Sequence, residues 1–291
     1  MLAWQGLCLQ LPPEWNPIEL TGTRKKGSIR VGNLHRTTLE VLWLASSRLD
    51  SKQGVWKRYL RRAGLPRRPI EGQAEDQPVL REALEKAGWR DPLAVVLRAG
   101  ESRSLHALAQ CPHSRRFVLV RMPIEAGDET AGPVELFNRF HEAEAGDFEW
   151  WNIYGFGFRV PADSRLVTSR LHSGSLSLSF LGRSVQITWQ RTSFGTKAMG
   201  DRTLADWLAG HDMLGRRPKT WRPLPAPPRG GHALERTRCG LPRRTCHRVA
   251  AWYEQDNDTL VMLSMASGRR SMPKLYRALC RSWCLEERAG R

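Results

Sequence analysis

The chain lacks long hydrophobic runs. None of its 291 residues falls in a window approaching the roughly 20 consecutive apolar residues that span a bilayer. Its first residues, MLAWQGLCLQLP, also lack the basic start of a secretory signal peptide. We therefore expect a cytoplasmic protein that has no membrane partner.

Recognisable catalytic motifs are missing as well. The sequence contains no G-x-S-x-G elbow, no H-E-x-x-H helix and no G-x-x-x-x-G-K-S/T loop. The pair Gly155 and Gly157 lacks the third glycine and the helix that a dinucleotide site requires. These absences favour a protein that is not an enzyme, although they leave the question open.

Cysteine is sparse, with six residues in the whole chain. A disulfide scaffold of this size would have more, so reduced thiols are expected. Four of the six lie in the last quarter, and they could bind zinc if their side chains converge. The four are Cys239, Cys246, Cys280 and Cys284. His247 is an alternative ligand. Cys280 and Cys284 lie at i, i+4 on a predicted helix, and core packing explains this spacing better than a zinc site does. A disulfide is the third explanation. No other cofactor is expected.

Positive charge, in contrast, is abundant: 46 Lys and Arg against 29 Asp and Glu give a formal net charge of +17. The charge is segregated along the chain. Residues 19–70 include 13 basic and 3 acidic residues, and residues 216–248 include 10 basic residues and 1 acidic residue. Residues 124–149 are acidic, with 8 acidic residues and 1 basic residue, and could dock on a basic segment.

The two halves of the chain share a sequence pattern. An aromatic residue and glycine open a strand near Trp4 and again at Tyr154, and a Gly-Ser strand follows in each half. An Arg-led strand then ends at Trp43 and at Trp189. This order predicts a tandem duplication. We expect an α+β fold in which each copy has an antiparallel sheet with packed helices, the first copy over 1–147 and the second over 148–291.

The opening of each half resembles Mog1/PsbP-type domains. The resemblance rests on an apolar strand leading into L-P-P-E-W and a hairpin that begins with Gly27. The second copy has A-D-S in place of P-E-W. The resemblance covers about 45 residues of each half. It implies an α/β/α sandwich that acts as a binding or accessory module, and it implies no site residues.

The basic segments are candidates for binding nucleic acid, because clustered cations contact phosphates and aromatic side chains stack on bases. Trp56 and Trp221 are the candidate stacking residues. The candidate phosphate-binding residues are Lys57, Arg58, Arg61, Arg62, Arg67, Arg68, Arg216, Arg217 and Lys219. An acidic partner protein would use the same cations, and a solvated surface of arginines would have the same composition.

Together, these patterns predict a non-enzymatic binding or assembly protein whose basic surface contacts an anionic partner, with nucleic acid as the first candidate. One alternative is a zinc site in the C-terminal half with a structural or thiol-based role. The other is a structural subunit of a protein complex, in which exposed tryptophans would mark the interface. Neither the ligand nor the oligomeric state follows from the sequence.

Overall fold

The computed structural model describes eleven stretches of the chain. They are residues 1–33, 36–46, 51–62, 74–99, 101–124, 131–143, 146–211, 221–227, 230–240, 243–268 and 272–285. Within them the chain divides into two units. Unit one is Met1–Ala145 with Trp150–Gly155, and unit two is Gly146–Glu149 with Phe156–Leu285.

The elements are numbered in chain order. Those of unit one are β1 (Leu2–Trp4), β2 (Leu7–Leu9), β3 (Asn16–Thr23), β4 (Lys26–Gly32), β5 (Thr37–Leu44), α1 (Lys52–Arg62), β6 (Ala74–Asp76), α2 (Pro78–Lys86), β7 (Arg90–Ala99), β8 (Ser102–Gln110), β9 (Phe117–Ile124), α3 (Ala131–Asn138) and β10 (His141–Glu142). Strand β11 (Phe148–Ile153) belongs to unit one from Trp150 onward. Those of unit two are β12 (Phe156–Pro161), β13 (Arg165–His172), β14 (Ser175–Leu181), β15 (Val185–Ser193), α4 (Gly195–Met199), α5 (Leu204–Ala209), β16 (Arg222–Pro223), β17 (His232–Gly240), β18 (Arg243–Glu254), β19 (Thr259–Ser267), α6 (Met272–Cys280) and β20 (Cys284–Leu285).

Unit one is built on an antiparallel sheet with the strand order β3-β4-β5-β9-β8-β7-β6. Period-two alternation determines its two faces: Leu39, Val41 and Trp43 of β5 are buried, whereas Glu40 and Leu42 are partly exposed. The face with Leu42 also carries a core cluster under α1, to which β8 and β9 contribute. A smaller set of strands in the same unit has the order β10-β2-β1-β11.

Unit two contains a sheet with the order β13-β14-β15-β19-β18-β17-β16. The short helices α4 and α5 cover β18 and β19 through a cluster that includes Trp207, Leu208 and Met262. Strands β12 and β20 pair with each other. The Trp252 ring packs against the Trp283 ring, with 5.3 Å between their centroids, where α6 and β20 meet the sheet.

The two large sheets have the same strand order. In each sheet the first three strands lie side by side in chain order, and the next four lie side by side in reverse chain order. The third strand therefore pairs with the seventh, as β5 pairs with β9 and β15 pairs with β19. The helices differ: α2 lies between β6 and β7, whereas the described residues between β16 and β17 contain no helix. The shared order is a property of the two sheets, and the duplication itself stays a prediction. The boundary predicted between 147 and 148 also stays a prediction, since the two units exchange short segments around residues 146–155.

The predicted α+β fold with packed helices is wrong, and so is the resemblance to Mog1/PsbP-type α/β/α sandwiches. The fold is β-rich: of the residues that the structure describes, strands account for 53% and helices for 20%. The described helices have five to eleven residues. On the first three strands of each large sheet, one face carries polar side chains such as Thr21, Ser28 and Ser177 that remain at least partly exposed. Helix layers on both faces, as in such a sandwich, would bury these side chains.

Local apolar periodicity predicts helices over 51–63 and 79–87 and strands around Ile29, Val41 and Leu178, and the structure has α1, α2, β4, β5 and β14 at these places. The sequence pattern predicts neither β8 nor β17. It predicts a last helix over 273–286, whereas α6 ends at Cys280. Among the described residues, no helix is long and apolar enough to cross a membrane. The predicted cytoplasmic location stays a prediction.

Candidate functional site

A groove of about 620 Å³ lies beside α1 on the partly exposed sheet face of unit one. Its floor is formed by Leu42 and Leu44 of β5 and by Leu119 of β9. Leu42 is directly opposite Leu119, and Leu44 is opposite Lys26 of β4. β5 is the last of the first three strands, and it pairs with β9, the last of the following four. The groove therefore lies where the two parts of the sheet meet.

Helix α1 forms one wall of this groove. The helix begins after Ser51, whose Oγ accepts a hydrogen bond from the Gly54 N–H at 3.1 Å, as at a typical N-cap. Val55, Tyr59 and Leu60 are buried against the sheet, and their i, i+4 and i, i+5 spacing places them on one face. Arg58 is exposed and lines the groove.

Glycine at position 27 shapes the far side of the groove. A Cβ atom there would lie 2.2 Å from the Cζ2 atom of Trp43, so the indole can cross β4 at this place because no side chain is present. The Trp43 Nε1–H donates a hydrogen bond to the Thr23 carbonyl at 2.7 Å. Trp43 is thereby fixed as a rigid part of the lining.

The rim of the groove is cationic. Lys26, Arg58 and Arg121 line it, together with a single carboxylate, Glu40. Glu40 is opposite Arg121 in the sheet register. Three cations around one carboxylate give the groove a local positive charge above an apolar floor. Such a site accommodates an anionic group that is attached to an apolar one.

A chain of hydrogen bonds lies at the inner end of the groove. The Tyr59 hydroxyl is 2.7 Å from His106 Nδ1, and Ser104 Oγ is 2.7 Å from His106 Nε2. Burial, with a smaller contribution from Arg121, lowers the pKa of His106 to about 4, and burial raises the pKa of Tyr59 well above its usual range. Both groups are therefore neutral at pH 7. One imidazole nitrogen donates and the other accepts, which fixes α1 to β8.

The two tryptophans predicted to stack on bases are engaged within the protein. Trp56 is half-buried and packs against Tyr59, with 5.6 Å between the ring centroids, and against His106 at 6.4 Å. Trp221 is also half-buried, and the Arg236 guanidinium lies 4.9 Å from its ring centroid. Stacking of a base on either ring would therefore compete with a contact that the ring makes within the protein.

The basic residues predicted to bind phosphate do not all line the groove. Lys57 and Arg61 are exposed on α1 and do not line the groove, whereas Arg58 does. The Arg62 side chain lies outside the described part of the chain. The same holds for Arg67, Arg68, Arg216, Arg217 and Lys219, so their role in binding stays a prediction.

The predicted zinc ligands occupy different environments. Cys280 is buried, which raises the pKa of its thiol to about 12. The Cys246 thiol is half-buried and donates to Glu235 Oε2 at 3.3 Å, and Cys284 lies in β20. The Cys239 side chain lies outside the described residues. Among the described side chains, no group of three His, Cys, Asp or Glu residues could hold a metal ion. Zinc binding by all four cysteines stays a prediction.

Sequence reasoning did not single out Glu142 within the acidic residues 124–149. Glu142 is buried and forms an ion pair with Arg116 at 3.1 Å. Sequence reasoning also missed Arg121 and Glu40 as groove residues. The signal available for Arg121 was a lone cation that interrupts the apolar alternation of β9.

No known protein family matches the sequence, and no curated protein matches it. The chain is similar to the apo structure of the immunity protein TplEi of the T6SS from Pseudomonas aeruginosa, with 8% sequence identity and a TM-score of 0.32 over 97% of this chain and 95% of that chain. The chain is also similar to a chain in the crystal structure of the Tle4–Tli4 complex, with 8% sequence identity and a TM-score of 0.34 over 95% of this chain and 99% of that chain. All these TM-scores lie below 0.5, so no function is transferred from either protein.

Proposed function

We propose that the chain is a binding protein whose unit-one groove receives an acidic and apolar segment of a partner protein. The observation that carries this proposal is the combination of an apolar floor, at Leu42 and Leu119, with a rim that includes Lys26 and Arg121. This corresponds to the structural-subunit alternative more closely than to nucleic-acid binding.

The physical basis is that the two parts of the groove act on different steps of binding. Burying an aliphatic or aromatic side chain on the floor contributes about 25 cal/mol for each Å² of apolar surface removed from water. The exposed cations at the rim attract an acidic segment and orient it during the encounter. Together they select a partner segment that has a carboxylate next to an apolar anchor.

Nucleic acid fits the groove less well. The leucine floor offers no donor to a phosphate, whereas it can bury an apolar side chain of a protein segment. The half-buried Trp56 and Trp221 rings are already in contact with Tyr59 and Arg236. Lys57 and Arg61 remain available for phosphate contacts on the exposed face of α1. Nucleic-acid binding would therefore depend on these residues and not on Arg121.

The test uses immobilised wild-type protein and two variants that change net charge equally, Arg121→Glu in the groove and Lys57→Glu on the exposed face of α1. Proteins of the source cell that bind wild type and Lys57→Glu are identified, purified and titrated against all three forms. We expect Arg121→Glu to weaken binding at least tenfold, or about 1.4 kcal/mol, whereas Lys57→Glu changes it less than threefold.

Two outcomes would contradict the proposal. The first is equal weakening by both variants, because this would make the interaction a response to net charge alone. The second is binding to a single- or double-stranded oligonucleotide at about 150 mM salt that exceeds binding to any purified protein. That second result would restore nucleic acid as the partner.

A further inference from the structure

An exposed aromatic side chain in unit two is held on a strained backbone. Phe194 is 66% exposed and has φ +59°, in the left-handed region that bulky residues rarely adopt. Its ring lies 3.7 Å from the position of a Cβ atom on Gly174, so it stands over the hairpin between β13 and β14. A bulky residue keeps a backbone conformation of this kind only where the surroundings enforce it.

The surroundings of Phe194 enforce its conformation through Asp258. The Gly195 N–H donates to the Asp258 carbonyl at 2.8 Å, and the Thr196 N–H and Oγ1–H both donate to Asp258 Oδ1 at 2.7 Å. The Tyr253 hydroxyl donates to the same oxygen at 3.0 Å. Hydrogen bonds from the Thr196 N–H and hydroxyl hold the pKa of Asp258 below its usual range, so the carboxylate is charged at neutral pH.

The surface next to Phe194 is acidic. The hairpin end that carries Asp258 lies next to Phe194, because Ser193 is opposite Thr259 and Gly195 is hydrogen-bonded to Asp258. This hairpin end has two further carboxylates, Glu254 at the end of β18 and Asp256 in the turn, and α4 has one cation, Lys197. An aromatic side chain beside such an acidic hairpin end fits a pocket that has an apolar floor and a cationic rim. The groove in unit one has this chemistry, with its leucine floor and the cations Lys26, Arg58 and Arg121.

We propose that Phe194 of one copy of the chain docks in the unit-one groove of a second copy, with the acidic turn 254–258 against the cationic rim. This rests on the groove's capacity to bind, which the proposed function assigns. The contact is heterologous, because different surfaces of the two copies meet, so it generates a ring or an open chain of copies. A partner protein and a second copy would then compete for one groove.

The test is sedimentation velocity of the purified chain between about 5 and 500 μM, a range suited to weak association. Phe194→Gly removes the aromatic ring, and Arg121→Glu changes the groove. We expect wild type and the control Lys57→Glu to associate with rising concentration, and each of the two test variants to associate at least tenfold more weakly. A mixture of Phe194→Gly and Arg121→Glu should form a 1:1 dimer and nothing larger, because the first supplies the intact groove and the second supplies the intact phenylalanine.

Folding is checked independently. Phe194→Gly and Phe194→Asn should both keep the wild-type circular dichroism spectrum, since Gly and Asn accept the left-handed conformation. Asn serves in the mixture if the Gly variant does not fold. A wild-type chain that is monomeric throughout the range would overturn the self-association, as would a mixture that behaves like its components. If Arg121→Glu still impairs partner binding in that case, the proposed function stands and only the self-association fails.

Discussion

The Arg116 guanidinium and the Glu142 carboxylate form a buried ion pair in unit one, with 3.1 Å between Nη2 and Oε1. Both side chains are about 95% buried. The second carboxylate oxygen accepts hydrogen bonds from the His113 and Ser114 N–H groups at 2.8 and 3.1 Å. Arg116 Nη1 donates to the Gln5 carbonyl at 2.8 Å, so the pair links the β1–β2 turn to β9 and β10.

Removing one member of this pair should destabilise the protein. In Glu142→Gln the guanidinium stays buried without its counter-charge, which typically costs about 3–5 kcal/mol. We expect a decrease of about 3 kcal/mol in the free energy of unfolding, measured by urea titration at pH 7. The double variant Arg116→Met, Glu142→Leu should be more stable than Glu142→Gln. If the double variant is the less stable of the two, the ion pair contributes more than its desolvation costs.

The same carboxylate should make stability depend on acid pH. Burial alone would raise the pKa of Glu142, but hydrogen bonds from Ser114 and His113 and the Arg116 charge outweigh it and lower the pKa. The resulting stability is fully present above the unfolded pKa of about 4.3 and is lost as the pH falls through the lower folded value. The difference between wild type and Glu142→Gln in urea titrations should therefore shrink below about pH 4.3. A constant difference down to pH 2 would contradict this.

His106 should produce a second pH dependence in a different window. Its folded pKa of about 4 lies below the usual histidine value, so below about pH 6.5 the unfolded chain binds a proton that the folded chain does not. Stability is full above about pH 6.5 and decreases by roughly 3 kcal/mol as the pH approaches 4. The variant His106→Gln should show a shallower slope in this range.

Two glycine-to-alanine substitutions should have opposite effects. A Cβ atom on Gly88 or on Gly132 would meet nothing within 4 Å, so packing does not distinguish the two positions. Gly88 has φ +86°, whereas Gly132 lies in helix α3. Gly88→Ala should lower the free energy of unfolding by at least about 1 kcal/mol, whereas Gly132→Ala should raise it by less than about 0.5 kcal/mol, because Pro133 disfavours the helical conformation of an alanine before it and offsets most of the helix propensity gained. Equal effects in thermal unfolding would mean that the backbone conformation at Gly88 is not maintained in solution.

Thiol reactivity should follow burial. The pKa values of Cys111 and Cys280 are raised to about 11 and 12 by burial, so almost no thiolate is present at pH 8. Iodoacetamide should label the half-buried Cys284 first and should reach Cys111 and Cys280 only on unfolding, as followed by mass spectrometry. Repeating the reaction with equimolar Zn²⁺ tests the predicted zinc site. Protection of Cys246 and Cys284 would support the site, and unchanged rates would refute it.

The sequence predicts the parts of the fold that depend on local periodicity. Alternation around Val41 and Leu178 identifies strands, and the apolar stripe of Val55 and Tyr59 identifies α1. Strand β17 is hidden because charged residues such as Glu235 and Arg236 break its alternation. The fold class is misjudged because short amphipathic helices give clear signals, whereas the polar open faces of the sheets resemble loops.

The groove depends on contacts that local patterns do not contain. Leu42 and Leu119 become neighbours because β5 pairs with β9 across two helices and three strands that the structure describes between them. Arg58 could be selected from the sequence because it lies in a cationic cluster, but Lys57 and Arg61 were selected for the same reason and face elsewhere. Charge identifies candidate residues, whereas the choice between them depends on which side of the helix faces the sheet.

The pairing of β1 with β11 has a consequence for how the protein is synthesised. Ala3 is opposite Asn152, so β1 finds this neighbour only after a further 149 residues have been translated. At roughly 5–20 residues per second the delay is on the order of ten seconds or more. During that interval the apolar strand Leu2–Trp4 has β2 as its earlier neighbour and an unpaired edge on the other side. An unpaired apolar edge is a template on which another chain can add a strand, so aggregation of the nascent chain competes with folding until β11 is synthesised.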